Sequence, residues 1–503
     1  MKNSRFIQIV VSAIMLVALM GSAPQSEFAA KAQSQLIQLA VRKPNQIVTV
    51  IVQKLGQTNA PESQTIKLGG KVTEDLYIIN AFAAKMTVEA AVKLSRTEAV
   101  RWVSLDAKME SAGCSSCVDT TNLTNAYIYA VHANQAWNNS PYIQGKGIGV
   151  AIIDSGVNPN GDLYTVMGVN RQIADVRFNN DYNQSTYDGY GHGTHVASIV
   201  GGDGSESNGK YIGVAPLANI INVKVSNDDG SAMMKDVVRG LQWVLDNKTK
   251  YNIRVVNLSL NSSMDESYNT SPLDAAVEIL WFNKIVVVVS AGNKGNGVVY
   301  PPANDPFVIA VGATDDKGTK GLSDDIVATF SSFGKTINGL KKPDIVAPGS
   351  NIVARLVNQN MGLALAHPDH KVGNQYFRMS GTSMAAPMVS GAVALLLQDE
   401  PNLTPDQVKY RLMATANKNW ANYDSDKTGA GYLDVYAAIQ GTTTQSANTG
   451  MLPSALLTTG SNPITFGTVG WNSVGWNSVG WNSVGWNSVG WNSVGWNSDY
   501  WGP

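Results

Sequence analysis

Apolar positions along this chain gather into short continuous runs separated by small and polar residues. Residues 147–153, Gly-Ile-Gly-Val-Ala-Ile-Ile, and residues 285–289, an isoleucine followed by four valines, have the unbroken pattern of strands buried in a sheet. The first run ends in Asp154-Ser155-Gly156 and the second in Ser290-Ala291-Gly292-Asn293. Residues 388–397, Met-Val-Ser-Gly-Ala-Val-Ala-Leu-Leu-Leu, are apolar nearly all round, which predicts a helix enclosed by a larger body, not an amphipathic surface helix. Toward the N-terminus, residues 47–52, 77–82 and 100–103 read as strands, and Thr87 caps a helix carrying Val88, Ala91, Val92 and Leu94. Residues from about 45 to 106 therefore predict a separate small α+β unit.

Candidate chemistry sits at the ends of these runs. Asp154 places a carboxylate at the C-terminal end of a buried strand, the edge at which parallel sheets collect ligands. Gly191-His192-Gly193-Thr194-His195 puts one imidazole at a glycine-flanked helix start and a second three residues later. Gly381-Thr382-Ser383-Met384-Ala385-Ala386-Pro387 sets a serine on a small-residue turn opening the long helix. There the helix dipole and free N–H groups favour negative charge on the hydroxyl and on an oxyanion. Alone, that turn also fits an ordinary helix cap.

The three segments together, in this chain order, resemble the signatures of the subtilisin-like serine protease family. The resemblance covers roughly residues 120–440 and implies an α/β fold, a mostly parallel sheet flanked by helices, preceded by a small α+β propeptide domain. It implies Ser383 as nucleophile, His192 as base, Asp154 as the group orienting the imidazole, and Asn293 as an oxyanion donor together with the backbone N–H of Ser383. His195 is then structural. A His-x-x-His metal pair is the other reading, but it lacks the helical His-Glu-x-x-His pattern and a third ligand. The stretch Val223-Lys224-Val225, followed by Asp229-Gly230-Ser231-Ala232, resembles the family's substrate edge strand. Residues 256–262 resemble the opposite one, so Gly230, Ser231, Ser259, Leu260 and Asn261 are the expected substrate contacts. Asn261 and Ser262 stand where many members have two glycines, so extra side chains are expected in the primary specificity pocket. No cofactor is required. Calcium is possible but unsupported by the loop after His195: residues 201–209 lack the family's asparagine-rich pattern, and Asp162 alone matches one ligand.

Composition adds the setting. The 503 residues have room for two or three folded units, and 37 basic against 38 acidic residues give no overall drive toward nucleic acid or an anionic membrane. Lys2 and Arg5 precede an apolar run over residues 6–20, and Ala30-Lys31-Ala32 offers a cleavage site, so residues 1–32 predict a secretory signal peptide and an extracellular protein. Residues 45–112 are expected to act as an inhibitory propeptide, released by self-cleavage between Asp106 and about Asn122. Cys114 and Cys117 are the only cysteines; in a secreted chain they read as a short-loop disulfide contributing roughly 2 kcal/mol. Residues 120–440 form the expected peptidase domain. Residues 441–503 form an uncharged linker and a tail in which Trp-Asn-Ser recurs six times at five-residue spacing from Trp471. A period of five gathers the tryptophans on one side of neither a strand nor a helix, which leaves a flexible tail or a contact for a cell surface or glycan. The sequence thus predicts a secreted, self-processing serine endopeptidase acting on proteins or peptides. Its competitor is a catalytically inactive surface-binding protein anchored by the tryptophan-rich repeats.

Overall fold

The computed structural model places four strands of the N-terminal part in one antiparallel sheet. The structure describes residues 31–107, 117–139, 142–165, 167–179, 185–356, 360, 362–459, 462–463 and 494–495, and the chain divides into two units between Ser115 and Ser116. The expected signal segment up to residue 30, residues 108–116 of the processing junction, Cys114 and nearly all of the repeat lie outside the described residues. Cys117 is disulfide-bonded.

In the first unit, β1 (Ile47–Lys54), β2 (Lys71–Leu76), β3 (Ala81–Thr87) and β4 (Val100–Leu105) pair in the order β2-β3-β1-β4. Helices α1 (Ser34–Arg42), α2 (Ala60–Lys67) and α3 (Val88–Ser95) accompany the sheet, with Leu36, Val50, Val52, Phe82, Leu94 and Val103 in the core. The Thr87 cap is present, its Oγ1 accepting from Ala90 N at 3.3 Å. The strand expected over residues 77–82 is different: Tyr77–Ile79 form one 3₁₀ turn, and β3 starts only at Ala81. Asn80 stands between them with φ of 50°, a left-handed conformation its short polar side chain tolerates, so the turn leaves Tyr77 and Ile78 exposed. Strand β2, Lys-Val-Thr-Glu-Asp-Leu, gave no alternation to read because it is an edge strand with little buried surface.

The second unit is built on an eight-stranded sheet. Its members are β5 (Gly149–Asp154), β6 (Gln172–Arg177), β7 (Asn219–Lys224), β9 (Ile253–Leu258), β10 (Val286–Ser290), β11 (Ile309–Asp315), β12 (Ile326–Val327) and β13 (Ile345–Pro348). A short separate strand, β8, is Ser231–Ala232. The order is β12-β11-β10-β9-β5-β7-β6, with β13 also on β11, and every pairing except β11–β12 is parallel. Helices α4 (His192–Gly201), α5 (Met234–Asn247), α6 (Pro272–Phe282), α7 (Thr382–Asp399) and α8 (Pro405–Thr415) pack with this sheet, α4 against α7 and α5 against α6. The α/β expectation therefore holds, and so does the enclosed helix: residues 382–397 of α7 are all buried. In register, Ile153 of β5 lies beside Leu258 of β9, and Leu258 beside Val289 of β10. Three strands therefore end together, and the residues that follow them share one edge.

Residues 223–224 are not at a sheet edge. Lys224 pairs with Asp154 on one side and Arg177 on the other, so its backbone has no edge left for a peptide; β8 supplies the short edge instead. The uncharged stretch expected as linker from residue 441 begins as a strap on the second unit. Arg411 Nε donates to Thr443 O at 2.8 Å, Asn448 Nδ2 to Asp406 Oδ1 at 2.7 Å, and Tyr268 OH to Leu452 O at 3.2 Å. Ser454 N donates to both oxygens of Glu278, at 2.9 and 2.7 Å.

Glu278 sits inside α6, where burial, reinforced by the Asp305 charge, raises its pKa far above the ordinary glutamate value. The folded form then keeps a proton that the unfolded chain has released, so stability falls as pH rises above the normal glutamate range. Glu278→Gln cannot ionise and still offers Ser454 an acceptor. Its melting temperature is expected to decline less steeply than that of the wild type between about pH 5 and pH 9. Parallel declines measured by calorimetry would contradict this assignment.

Candidate active site

The shared strand edge brings a carboxylate and an imidazole together. Asp154 is the last residue of β5 and His192 the first of α4, and Nδ1 of His192 lies 2.9 Å from Asp154 Oδ1 and 3.1 Å from Oδ2. Both side chains are fully buried. Burial pushes the Asp154 carboxyl above the usual aspartate value, opposed by the His192 charge, by its hydrogen bond and by Ser155 N, which donates to Oδ1 at 2.7 Å. A Cβ on Gly193 would stand 2.8 Å from Asp154 Oδ1 and collide with Gly156 O. Glycine there lets the helix start close on the carboxylate.

Ser383 occupies the first turn of α7, which packs against α4 and across β9, β10 and β11. Its Oγ lies 3.3 Å from Ser259 O, just beyond the end of β9. The backbone of Ser383 is fixed by an unusual exchange of partners. Pro387, four residues on, has no N–H to give to the Ser383 carbonyl, and Ser259 Oγ donates to that carbonyl at 2.9 Å. Asn257 holds Ser259 in turn, Nδ2 donating to its Oγ at 2.9 Å, while Ser390 Oγ donates to Asn257 Oδ1 at 2.8 Å. Thus a proline inside the helix ties the serine turn to the strand beside it.

Asn293, three residues past β10, has its carboxamide oriented by Thr382. Thr382 N and Oγ1 both donate to Asn293 Oδ1, at 2.9 and 2.8 Å. A backbone N–H can only donate, so the oxygen must face it and Nδ2 must point the other way. That Nδ2 is buried and has no hydrogen-bond partner among the described residues. Leaving such a donor unsatisfied costs about 1–3 kcal/mol, which a ligand oxygen would recover.

His195 lies apart from this chemistry. Its Nε2 is 3.0 Å from Phe377 O, and burial pushes its pKa down to about 3, so it stays neutral and structural, as expected. Both oxygens of Asp162 are engaged within the protein: Oδ1 accepts Glu206 N and Oδ2 accepts Tyr376 OH, each at 2.7 Å. Among the described residues no group of three or more His, Cys, Asp or Glu side chains is arranged to hold a metal ion. The expected substrate contacts occupy two places. Gly230 precedes β8 and Ser231 is its first residue, with Ser231 N donating to Asp229 Oδ1 at 2.8 Å. Ser259, Leu260 and Asn261 follow β9, and Asn261 Nδ2 donates to Ser290 O at 2.8 Å, so its polar side chain lies against the end of β10.

Residues 145–432, more than half of the chain, match the family model described as "Subtilase family". The chain belongs to the subtilase family. Serine protease AprX of Bacillus subtilis is 39% identical over 325 residues, covering 62% of this subtilase and 70% of that protein. Subtilisin Savinase of Lederbergia lenta is 32% identical over 274 residues, or 54% and 85% of the two chains. A crystal structure of fervidolysin from Fervidobacterium pennivorans aligns with a TM-score of 0.49 at 24% identity, over 79% of this chain and 61% of that one. As a subtilase this protein is a serine endopeptidase, and its substrates are proteins or peptides. Among the described residues no helix is long and apolar enough to cross a membrane.

Several residues that shape this subtilase's site were not singled out in the sequence. Thr382 and Pro387 lay within the serine motif, but their partners are distant in the chain. Asn257 and Asp188 are single polar residues, and only a carboxylate four positions before the histidine would have drawn attention to Asp188 as a capping group.

Proposed function

We propose that this protein hydrolyses peptide bonds through Asp154, His192 and Ser383, with Asn293 Nδ2 and the Ser383 backbone N–H holding the oxyanion. The observation that carries the reading is the oriented Asn293 amide, a buried donor without a partner among the described residues, beside the serine turn. Ser383 Oγ attacks the substrate carbonyl carbon, and its proton passes to His192 Nε2 because Nδ1 faces Asp154. Asp154 fixes that tautomer and stabilises the imidazolium. Collapse of the tetrahedral intermediate breaks the C–N bond, the imidazolium gives its proton to the leaving amine, and a water repeats the sequence on the acyl-enzyme.

The peptide lies extended between β8 and the segment after β9, drawing affinity from main-chain hydrogen bonds. Support comes from the backbone of Val494–Gly495, which already runs antiparallel to Ser231–Ala232 along that edge. Asn261, fixed to Ser290, makes one wall of the primary pocket polar. The chemistry needs no cofactor. Residues 1–32 direct secretion, and the N-terminal unit is a propeptide that the enzyme removes itself. A fluorophosphonate probe is expected to label mature protein at Ser383, with mass spectrometry locating the adduct. Failure to label a folded, mature protein would overturn the assignment and favour the surface-binding alternative.

A further inference from the structure

We infer that Asp188 is a positioning residue for the Asp154–His192 pair, acting through the hydroxyl of Ser155 and the first turn of α4; this rests on the triad reading above. Asp188 lies in the loop before α4 and is 2% exposed. Its carboxylate accepts four hydrogen bonds. Oδ1 takes Ser155 Oγ at 2.8 Å and Gly191 N at 2.6 Å; Oδ2 takes Thr194 N at 2.8 Å and Thr194 Oγ1 at 2.7 Å. The backbone around it is equally constrained. Asn158 Oδ1 accepts Asp188 N at 3.0 Å, and Asn158 Nδ2 donates to Asp188 O at 2.9 Å. Gly156, at φ of 118°, is where the loop comes closest: a Cβ there would stand 2.9 Å from Asp188 N and Cα.

A helix cap alone would explain the bonds to Gly191 and Thr194. Ser155 goes further. Its Oγ accepts Gly193 N at 2.9 Å and faces two carboxylates, Asp188 Oδ1 at 2.8 Å and Asp154 Oδ1 at 3.1 Å, with one proton to give. While Asp188 is charged it competes for that proton, leaving more of the Asp154 charge directed at the imidazole. Neutralising Asp188 hands the proton to Asp154 and removes a negative charge near His192; both effects make the imidazole less basic. Removing the Ser155 hydroxyl takes a donor from Asp154 and works in the opposite direction.

The other titratable groups around this corner are left in place by both substitutions. They are the neutral His195 on α4, Asp175 on β6, which accepts from Asn222, and Lys224 on β7. Lys224 Nζ donates to Ser155 O at 2.7 Å, Tyr187 O at 2.9 Å and Asp228 Oδ1 at 2.6 Å.

The test is the pH profile of kcat/KM for the full chain on one peptide substrate, with melting temperatures, for wild type, Asp188→Asn and Ser155→Ala. Asp188→Asn is expected to lower kcat about tenfold with KM within about twofold, and to move the acidic limb down by roughly half a pH unit. Ser155→Ala is expected to move that limb up. Limbs that stay in place, with activity following melting temperature alone, would reduce Asp188 to a cap and overturn the inference. If Asp188→Asn does not accumulate folded, Ser155→Ala decides, since it keeps the bonds from Asp188 to α4; an unmoved limb there also overturns it. A wild type inactive on every peptide removes the triad reading itself, a result distinct from an active wild type with unmoved limbs.

Discussion

Ser383→Ala is expected to abolish hydrolysis, by roughly 10⁶-fold in kcat, a magnitude that comes from subtilisin itself and not from this chain. On the proposed mechanism the loss is large because the hydroxyl is the nucleophile and the hydroxyls beside it are engaged elsewhere: Thr382 Oγ1 is bound to Asn293, and Ser259 Oγ donates to the Ser383 carbonyl. The fold should survive, since alanine keeps both the small side chain and the backbone carbonyl that Ser259 holds. The same variant reports on maturation. Intact mass should show the N-terminal unit still joined to the rest of the chain if processing is self-catalysed. A normally trimmed Ser383→Ala product would mean that another protease does the trimming, and residual turnover near wild type would end the nucleophile assignment.

Asn293→Ala should cost about 10²- to 10³-fold in kcat and leave KM little changed, again a magnitude set by subtilisin's own oxyanion asparagine. The split between the two constants follows from geometry. Thr382 pins the amide oxygen at 2.8–2.9 Å, so Nδ2 is aimed before substrate arrives and no binding energy goes into turning it. In the proposed oxyanion role its benefit would come when the carbonyl oxygen gains charge, which is a transition-state effect. Steady-state kinetics on one peptide would check this. A raised KM with unchanged kcat would assign Asn293 to ground-state binding instead.

Much of the fold was legible because buried strands and a buried helix leave unbroken apolar runs. The runs 147–153, 285–289 and 388–397, which fall largely within β5, β10 and α7, needed no partner to be recognised, because burial on every side removes the need for polar positions. The candidate residues Asp154, Ser383 and Asn293 were legible for a related reason, since each lies at or just past the end of such a run, while His192 was marked by its glycine-flanked helix start. Recognition of the three signatures then ordered them into roles, which spacing alone does not do.

What escaped reading depends on contacts between residues far apart in sequence. Ser259 reaches the carbonyl of Ser383 only because β9 ends beside α7, and Asp188 reaches Ser155 only because Gly156 admits the loop. Lys224 misled for the same reason. Resemblance placed residues 223–225 on an exposed substrate edge, whereas the Lys224 ammonium is buried and held by two carbonyl oxygens and Asp228. In the first unit, the 77–82 run shows that apolar content without alternation does not distinguish a strand from a turn.

The strap over residues 441–457 determines how far the gene can be shortened. A stop codon at 442 would leave the guanidinium of Arg411 without the Thr443 oxygen and the Glu278 carboxyl without the Ser454 amide, so the trimmed enzyme would carry open polar wounds in its interior. A stop codon after 459 touches neither. Fusion partners, affinity handles or surface anchors joined there would inherit a catalytic body in which both of these buried groups keep their partners.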